Sequence, residues 1–131
     1  MARILLLDDS ALVLNATKLA LEAAGHTVEA TSEPADFFTA MKKVQPDLAL
    51  VDVSMPTLEG DAVVWIARAH QLHASRIVLF SAKSPQELEK LVASSGADGF
   101  ICKTNDEDTL RRQVAEALKK PQRASSGGAP G

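Results

Sequence analysis

Asp47-Leu-Ala-Leu-Val-Asp52-Val-Ser-Met-Pro56 is the stretch on which the fold turns. Leu48 to Val51 is apolar at every position, the pattern of a strand covered on both faces, as in a parallel sheet. The run delivers one carboxylate, Asp52, into a loop closed by Pro56. Ligands of open parallel sheets bind just past the carboxyl ends of the strands. Asp52 therefore stands where such a protein does its chemistry, and the other strand ends decide what that chemistry is.

Upstream, Ala2 to Leu7 is a second apolar run, ending in Asp8-Asp9-Ser10. Strong helix formers fill Ser10 to Ala24, with Leu12, Ala16, Leu19 and Ala23 at three- and four-residue spacing, which predicts that this face is buried. Gly25 suits a left-handed helix cap, and His26 to Thr31 reads as a short strand. A helix through Phe37, Phe38, Met41 and Val44 follows, broken by Gln45-Pro46. Downstream of the opening stretch, Gly60 ends a loop and Asp61 to Leu72 reads as a helix around Val63, Val64, Ile66 and Ala67. Arg76 to Phe80 is the fourth strand, ending at Ser81. Ser84-Pro85-Gln86-Glu87 combines an N-cap, a first-turn proline and a capping box, so the fourth helix runs from there to Ser95 and stops at Gly96. Ala97 to Cys102 is the fifth strand, followed by Lys103, and Asn105 and Asp106 offer caps for a last helix through Leu110, Val114 and Leu118. The alternation implies an α/β fold with a parallel sheet, right-handed crossovers and helices on both faces. Residues 1–120 read as one domain, and 121–131, rich in Gly, Ser, Pro and Ala, as a disordered tail or linker stub.

Composition narrows the function. The chain has 131 residues, 46% hydrophobic and 24% charged, enough for one real core and a solvated surface. A net charge of -3 gives no footprint for nucleic acid or an anionic membrane. No apolar run approaches the roughly 20 residues that span a bilayer, and the N-terminus carries no signal-peptide pattern. One cysteine, Cys102, excludes an intrachain disulfide and reads as a buried strand residue. A cytoplasmic setting is expected. His70 and His73 lie three apart without a third ligand nearby and read as exposed, and Trp65 as a residue that packs or covers surface on the third helix.

In a parallel sheet the strand ends share one edge. That edge gathers Asp8 and Asp9, Asp52, Ser81 and Lys103. Three neighbouring carboxylates repel and raise one another's pKa. A hard cation resolves the repulsion, since Mg²⁺ takes one or two carboxylates and keeps positions for water or phosphate oxygens. Lys103 adds a point positive charge for a phosphoryl group, and Ser81 a hydroxyl donor. The set suits phosphoryl transfer, which is mostly positioning and charge neutralisation.

Five elements in order, Leu-Leu-Asp8-Asp9-Ser10, Asp52-Val-Ser-Met55-Pro56 with Gly60, Phe-Ser81-Ala82, and Gly96-Ala-Asp-Gly99-Phe100-Ile-Cys-Lys103, resemble the receiver domain of two-component response regulators, the CheY-like family. The resemblance covers Ala2 to about Lys120. It implies a flavodoxin-like, doubly wound, five-stranded parallel sheet in the order 2-1-3-4-5 with five helices. It implies Asp52 as phosphoacceptor, attacking the phosphohistidine of a histidine kinase or phosphotransfer protein. Asp9, Asp52 and the main-chain carbonyl of Ser54 would be direct Mg²⁺ ligands, with Asp8 acting through water. Lys103 would contact the phosphate, and Ser81 and Phe100 would be the switch pair. Their movement would change the face made by helix four, strand five and helix five, read by a downstream effector or output domain. The family further implies a monomer before phosphorylation, and a protein that accepts a phosphoryl group and sheds it rather than a turnover enzyme.

One departure stands out. Thr104 follows Lys103 where the family usually has proline after a cis bond. A cis bond before a non-proline residue costs about 2.5–4 kcal/mol, so a trans bond is expected, with a shifted start of the last helix. Ser54 and Lys83, each two residues beyond a site residue, flank the path of hydrolytic water in the family. Two other classes compete: a pseudo-receiver scaffold that signals without phosphorylation, and a haloacid-dehalogenase-like phosphatase. The latter places its nucleophile in an Asp-x-Asp arrangement after strand one, whereas Asp8 and Asp9 are adjacent.

Overall fold

The computed structural model describes residues 1–56, 58–72 and 76–119. The expected tail at 121–131, the domain boundary at 120 and His73 lie outside the described residues. Strand and helix alternate throughout: β1 (Arg3–Leu7), α1 (Ala11–Ala23), β2 (Thr27–Thr31), α2 (Pro34–Val44), β3 (Leu48–Asp52), α3 (Gly60–Ala69), β4 (Ile77–Ser81), α4 (Pro85–Ser95), β5 (Gly99–Cys102) and α5 (Glu107–Lys119). The strands pair in parallel in the order β2-β1-β3-β4-β5. This is the doubly wound sheet that the sequence predicts.

Strand alternation divides the core into two layers. Leu5, Leu7, Ala49, Val51, Ile77 and Leu79 face one layer with Phe37 and Met41 of α2, Val63 and Val64 of α3, and Leu88 of α4. Ile4, Leu6, Leu48, Leu50, Val78 and Phe80 face the other with Leu21 of α1 and Leu110 and Val114 of α5. Apolar side chains on both faces leave the central strands fully covered, so their polar business is confined to the strand ends.

α1 corrects the sequence reading. Leu12 is 80% and Leu19 64% exposed, and Ala16 and Ala23 are exposed too. Thr17, Ala20 and Leu21 are the buried residues, with Val13 and Leu14 packed at the margin. This helix carries two apolar stripes, and spacing alone cannot say which one the sheet receives. Of the positions that spacing predicts in the other helices, α2 buries Phe37 and Met41, α3 Val63, Val64 and Ala67, and α5 Leu110 and Val114.

The ends shift by one to three residues. α3 includes Gly60 and stops at Ala69 because Gln71 adopts the left-handed conformation at φ 57°, and Leu72 N–H bonds back to Ala67 O at 2.9 Å. That is a Schellman closure without the usual glycine, so the sequence carries no stop signal there. α1 closes in the same way at Gly25, where φ is +97°. β2 begins at Thr27 and β4 at Ile77. β5 begins at Gly99, since Ala97 and Asp98 belong to a turn in which Asp98 N–H bonds Ile77 O at 2.7 Å. α4 starts from Ser84 with its capping box complete. Cys102 is half-buried rather than buried, His70 is exposed, and Trp65 is 61% exposed on α3.

Candidate functional site

The register of the sheet builds the site before any side chain is considered. Leu7 of β1 pairs with Val51 of β3, so the next residues, Asp8 and Asp52, are neighbours across adjacent strand ends. Alternation puts both on the α1/α5 side, following Ile4 and Leu6 in one strand and Leu48 and Leu50 in the other. Lys103 follows Ile101 on that side too. Asp8, Asp52 and Lys103 thus meet because each stands two residues beyond a core residue of the same layer.

Lys103 Nζ lies 2.7 Å from Asp8 Oδ2 and 3.1 Å from Asp52 Oδ1. The Asp52 contact is a hydrogen bond, and the Asp8 contact is an ion pair without hydrogen-bond alignment. Behind the ammonium sits the Phe80 ring, its centroid 5.5 Å away, in a cation–π contact. Asp8 Oδ1 accepts the Ser10 N–H at 2.9 Å, and Ser10 Oγ accepts the Val13 N–H to cap α1. Both buried acids are nearly inaccessible, Asp8 at 2% and Asp52 at 4%, whereas Asp9 is exposed.

Burial raises the Asp52 carboxyl above the ordinary aspartate value. The hydrogen bond and charge of Lys103 pull it back, Asp8 pushes it up again, and the Ser54 N–H favours the anion. Burial also opposes the Lys103 ammonium, but Asp8 and Asp52 together outweigh it, so Lys103 sits above the ordinary lysine value. Asp52 rises because burial outweighs its contact with Lys103, and Lys103 rises because its two carboxylate partners outweigh its burial.

Carboxylate oxygens of Asp8, Asp9 and Asp52 lie within 4.8 Å of one another, close enough to share a metal ion. With Ser10, Ser54, Ser81, Lys83 and Lys103 they line an open pocket of about 420 Å³. The donor set, all oxygen with one exposed carboxylate and room for water, fits Mg²⁺.

Gly60 packs against the backbone that carries Asp52. Its N–H bonds Val53 O at 2.9 Å, and a Cβ there would stand 2.0 Å from Asp52 O. Any side chain would push α3 off the end of β3, so this glycine fixes how closely the helix approaches the acid.

The sequence-predicted residues do not all converge. Ser81 is buried and lines the pocket, but it follows Ile77 and Leu79, whose side chains face the opposite layer from Asp52. Its Oγ accepts the Lys83 N–H at 3.0 Å. Phe100 packs in that same opposite layer and does not line the pocket. Lys103 reaches the acids although Thr104 follows it, and no peptide among the described residues is cis. Thr104 Oγ1 instead accepts the Asp106 N–H, and Asp106 carboxylate oxygens take the Asp108 N–H and Thr109 hydroxyl, starting α5. A local hydroxyl turn and an acidic cap thus start α5. Sequence reasoning missed the aromatic support of Phe80 behind Lys103; its parity with Leu50 and Asp52 was the available signal.

The profile of the response regulator receiver domain matches residues 4–115. The virulence transcriptional regulatory protein PhoP of Salmonella choleraesuis is 30% identical over 116 residues, 88% of this chain and 51% of that protein. The chain thus spans about half the length of that relative. Protein PilH of Pseudomonas aeruginosa is 30% identical over 120 residues, 90% of this chain and 98% of that protein. The solved chemotaxis protein CheY4 of Vibrio cholerae has a TM-score of 0.82 at 24% identity, covering 89% of this chain and 98% of its own. That likeness is one of fold. Strand order, acidic pocket and profile match agree, and the chain belongs to the response regulator receiver domain family of two-component signalling.

Proposed function

We propose that Asp52 accepts a phosphoryl group from the phosphohistidine of a histidine kinase or phosphotransfer protein. In this step a carboxylate oxygen of Asp52 forms a bond to phosphorus as the phosphorus–nitrogen bond breaks. The imidazole of the donor keeps that electron pair. The supporting observation is the Asp52 carboxylate, buried at the end of β3, 3.1 Å from Lys103 Nζ and grouped with Asp8 and Asp9.

The hydrogen bonding favours a division of labour. Asp8 is engaged by Ser10 N–H and Lys103, which suits it to hold Mg²⁺ through water. Exposed Asp9, Asp52 and the Ser54 carbonyl are the direct ligands of this reading. The metal would neutralise charge on the transferring group. Lys103 releases one of its two carboxylate contacts to meet the incoming phosphoryl oxygens. Ser81 swings its hydroxyl over the end of the sheet from the Lys83 N–H, and Phe100, in the same layer, follows. The face of α4, β5 and α5 then changes its affinity for a downstream effector or output domain. The protein is its own substrate, shedding the phosphoryl group to water rather than turning over an external ester.

Incubation with Mg²⁺ and a small acyl phosphate donor tests the reading. Acid-stable, base-labile phosphate on the wild type and none on Asp52→Asn is the expected result. No incorporation, or equal incorporation in the variant, sinks it and leaves the scaffold alternative.

A further inference from the structure

Lys103 leaves the sheet at the end of β5, yet the two acids it holds stand at the ends of β3 and β1. The strand order puts β4 in between, so the lysine side chain crosses a whole strand, about 10 Å from β5 to β3. Phe80 lies in its path. This residue pairs with Asp52 of β3 on one side and with Ile101 of β5 on the other. Its ring and Ile101 belong to the α1/α5 layer, the side on which Lys103 meets the acids. Ser81, the next residue of β4, follows Leu79 and faces the other layer. The Phe80 side chain is buried, and its ring centroid stands 5.5 Å from Lys103 Nζ.

This contact differs from the two ion pairs in what it survives. Each ion pair engages a carboxylate oxygen, and one of them must be given up when a phosphoryl oxygen takes its place. Attraction to the negative face of a ring is broad, and it leaves the other side of the ammonium free for an anion. The Lys103 side chain is 23% exposed, so water competes for an ammonium released from a carboxylate. An aliphatic side chain at position 80 would support the lysine stem and hold no charge. The ring therefore matters most during the exchange, and contacts that strengthen along a reaction are the ones that speed it.

We propose that Phe80 is a positioning residue for phosphoryl acceptance: its ring holds the Lys103 ammonium at the end of β3 while the lysine exchanges a carboxylate for a phosphoryl oxygen. The inference rests on Asp52 being the phosphoacceptor. No bond forms or breaks at Phe80 and no proton moves; only the partners of one ammonium change.

Initial rates of phosphate incorporation from a small acyl phosphate donor with Mg²⁺ test it. Phe80→Leu should slow incorporation about tenfold. A 3,4,5-trifluorophenylalanine placed at position 80 alone keeps the ring's shape but depletes its negative face, and should slow it by an intermediate factor. In a Lys103→Met background, which keeps the stem without the charge, neither replacement should change the remaining rate by more than about twofold. A ring that only packs in the core would leave the fluorinated protein at the wild-type rate. It would also cost the same factor with or without the lysine charge. Either result overturns the inference, and should Phe80→Leu fail to fold, the fluorinated ring decides. Incorporation by the wild type with equal rates in both variants overturns the role of Phe80 alone. No incorporation by the wild type overturns the phosphoacceptor reading, and the inference falls with it.

Discussion

Buried charge sits at both ends of this sheet, and the two sites differ in how fully it is answered. At the amino ends of β4 and β5, the buried Asp98 carboxylate is met directly by a cation. Arg68 donates Nη2 to Asp98 Oδ2 at 2.7 Å and Nε to Gly96 O at 3.1 Å. The same Asp98 oxygen accepts the Ile77 N–H at 2.8 Å. At the carboxyl ends two buried carboxylates, Asp8 and Asp52, share one lysine, with exposed Asp9 beside them. The first arrangement is closed, ties α3 to the turn before β5, and needs nothing further. The second is left one cation short by the protein itself. A deficit of that kind costs stability, and it persists where a ligand is meant to cure it.

Asp98→Ala breaks the closed site and should have the largest effect. It strands Arg68 and the Ile77 N–H together, for a loss of about 3 kcal/mol in denaturant unfolding. A loss near zero would remove the contrast. At the open end, adding Mg²⁺ should raise stability, by about 1.4 kcal/mol at ten times its dissociation constant, visible as a higher melting temperature. An equal rise in Asp52→Asn would place the ion elsewhere.

Asp52→Asn in metal-free buffer should be more stable than wild type at neutral pH, by less than Asp98→Ala costs. The sign follows from burial, which holds the folded Asp52 pKa above its unfolded value. Folding therefore disfavours the ionised form. The advantage of the variant is absent below the ordinary aspartate range and grows as pH rises through the folded pKa. Thermal melts of both proteins across pH measure it, and a flat difference contradicts it. The smallest effect belongs to Asp9→Asn. Exposed and outside the ion pairs of Lys103, it should melt within about 0.5 kcal/mol of wild type without metal, yet lose most of the Mg²⁺ response.

Much of the open end was legible because strand ends and alternation suffice to gather it. Asp8, Asp52 and Lys103 need only their parity with Leu6, Leu50 and Ile101 to share a face. Asp98 stood in a recognised motif, yet nothing local told that it would pair with Arg68, thirty residues away. The closed site is long-range, and single-sequence spacing does not carry such information. The buried face of α1 was misread for a different reason. Leu12 and Leu19 match the helical period as well as Val13 and Leu21 do, and only the packing against β1, β2 and α5 chooses between the stripes. Gln71 ended α3 through a left-handed turn that its residue type does not announce.

Under the proposed function, the unanswered charge at the end of β3 is a phosphoacceptor dependent on metal. Reaction with a small acyl phosphate donor, reduction with borohydride and tandem mass spectrometry would locate any acyl phosphate by the homoserine it leaves. Homoserine at position 52 alone, lost when Mg²⁺ is chelated, is the predicted result. Modification at Asp8 or Asp9, or at position 52 regardless of Mg²⁺, would contradict it.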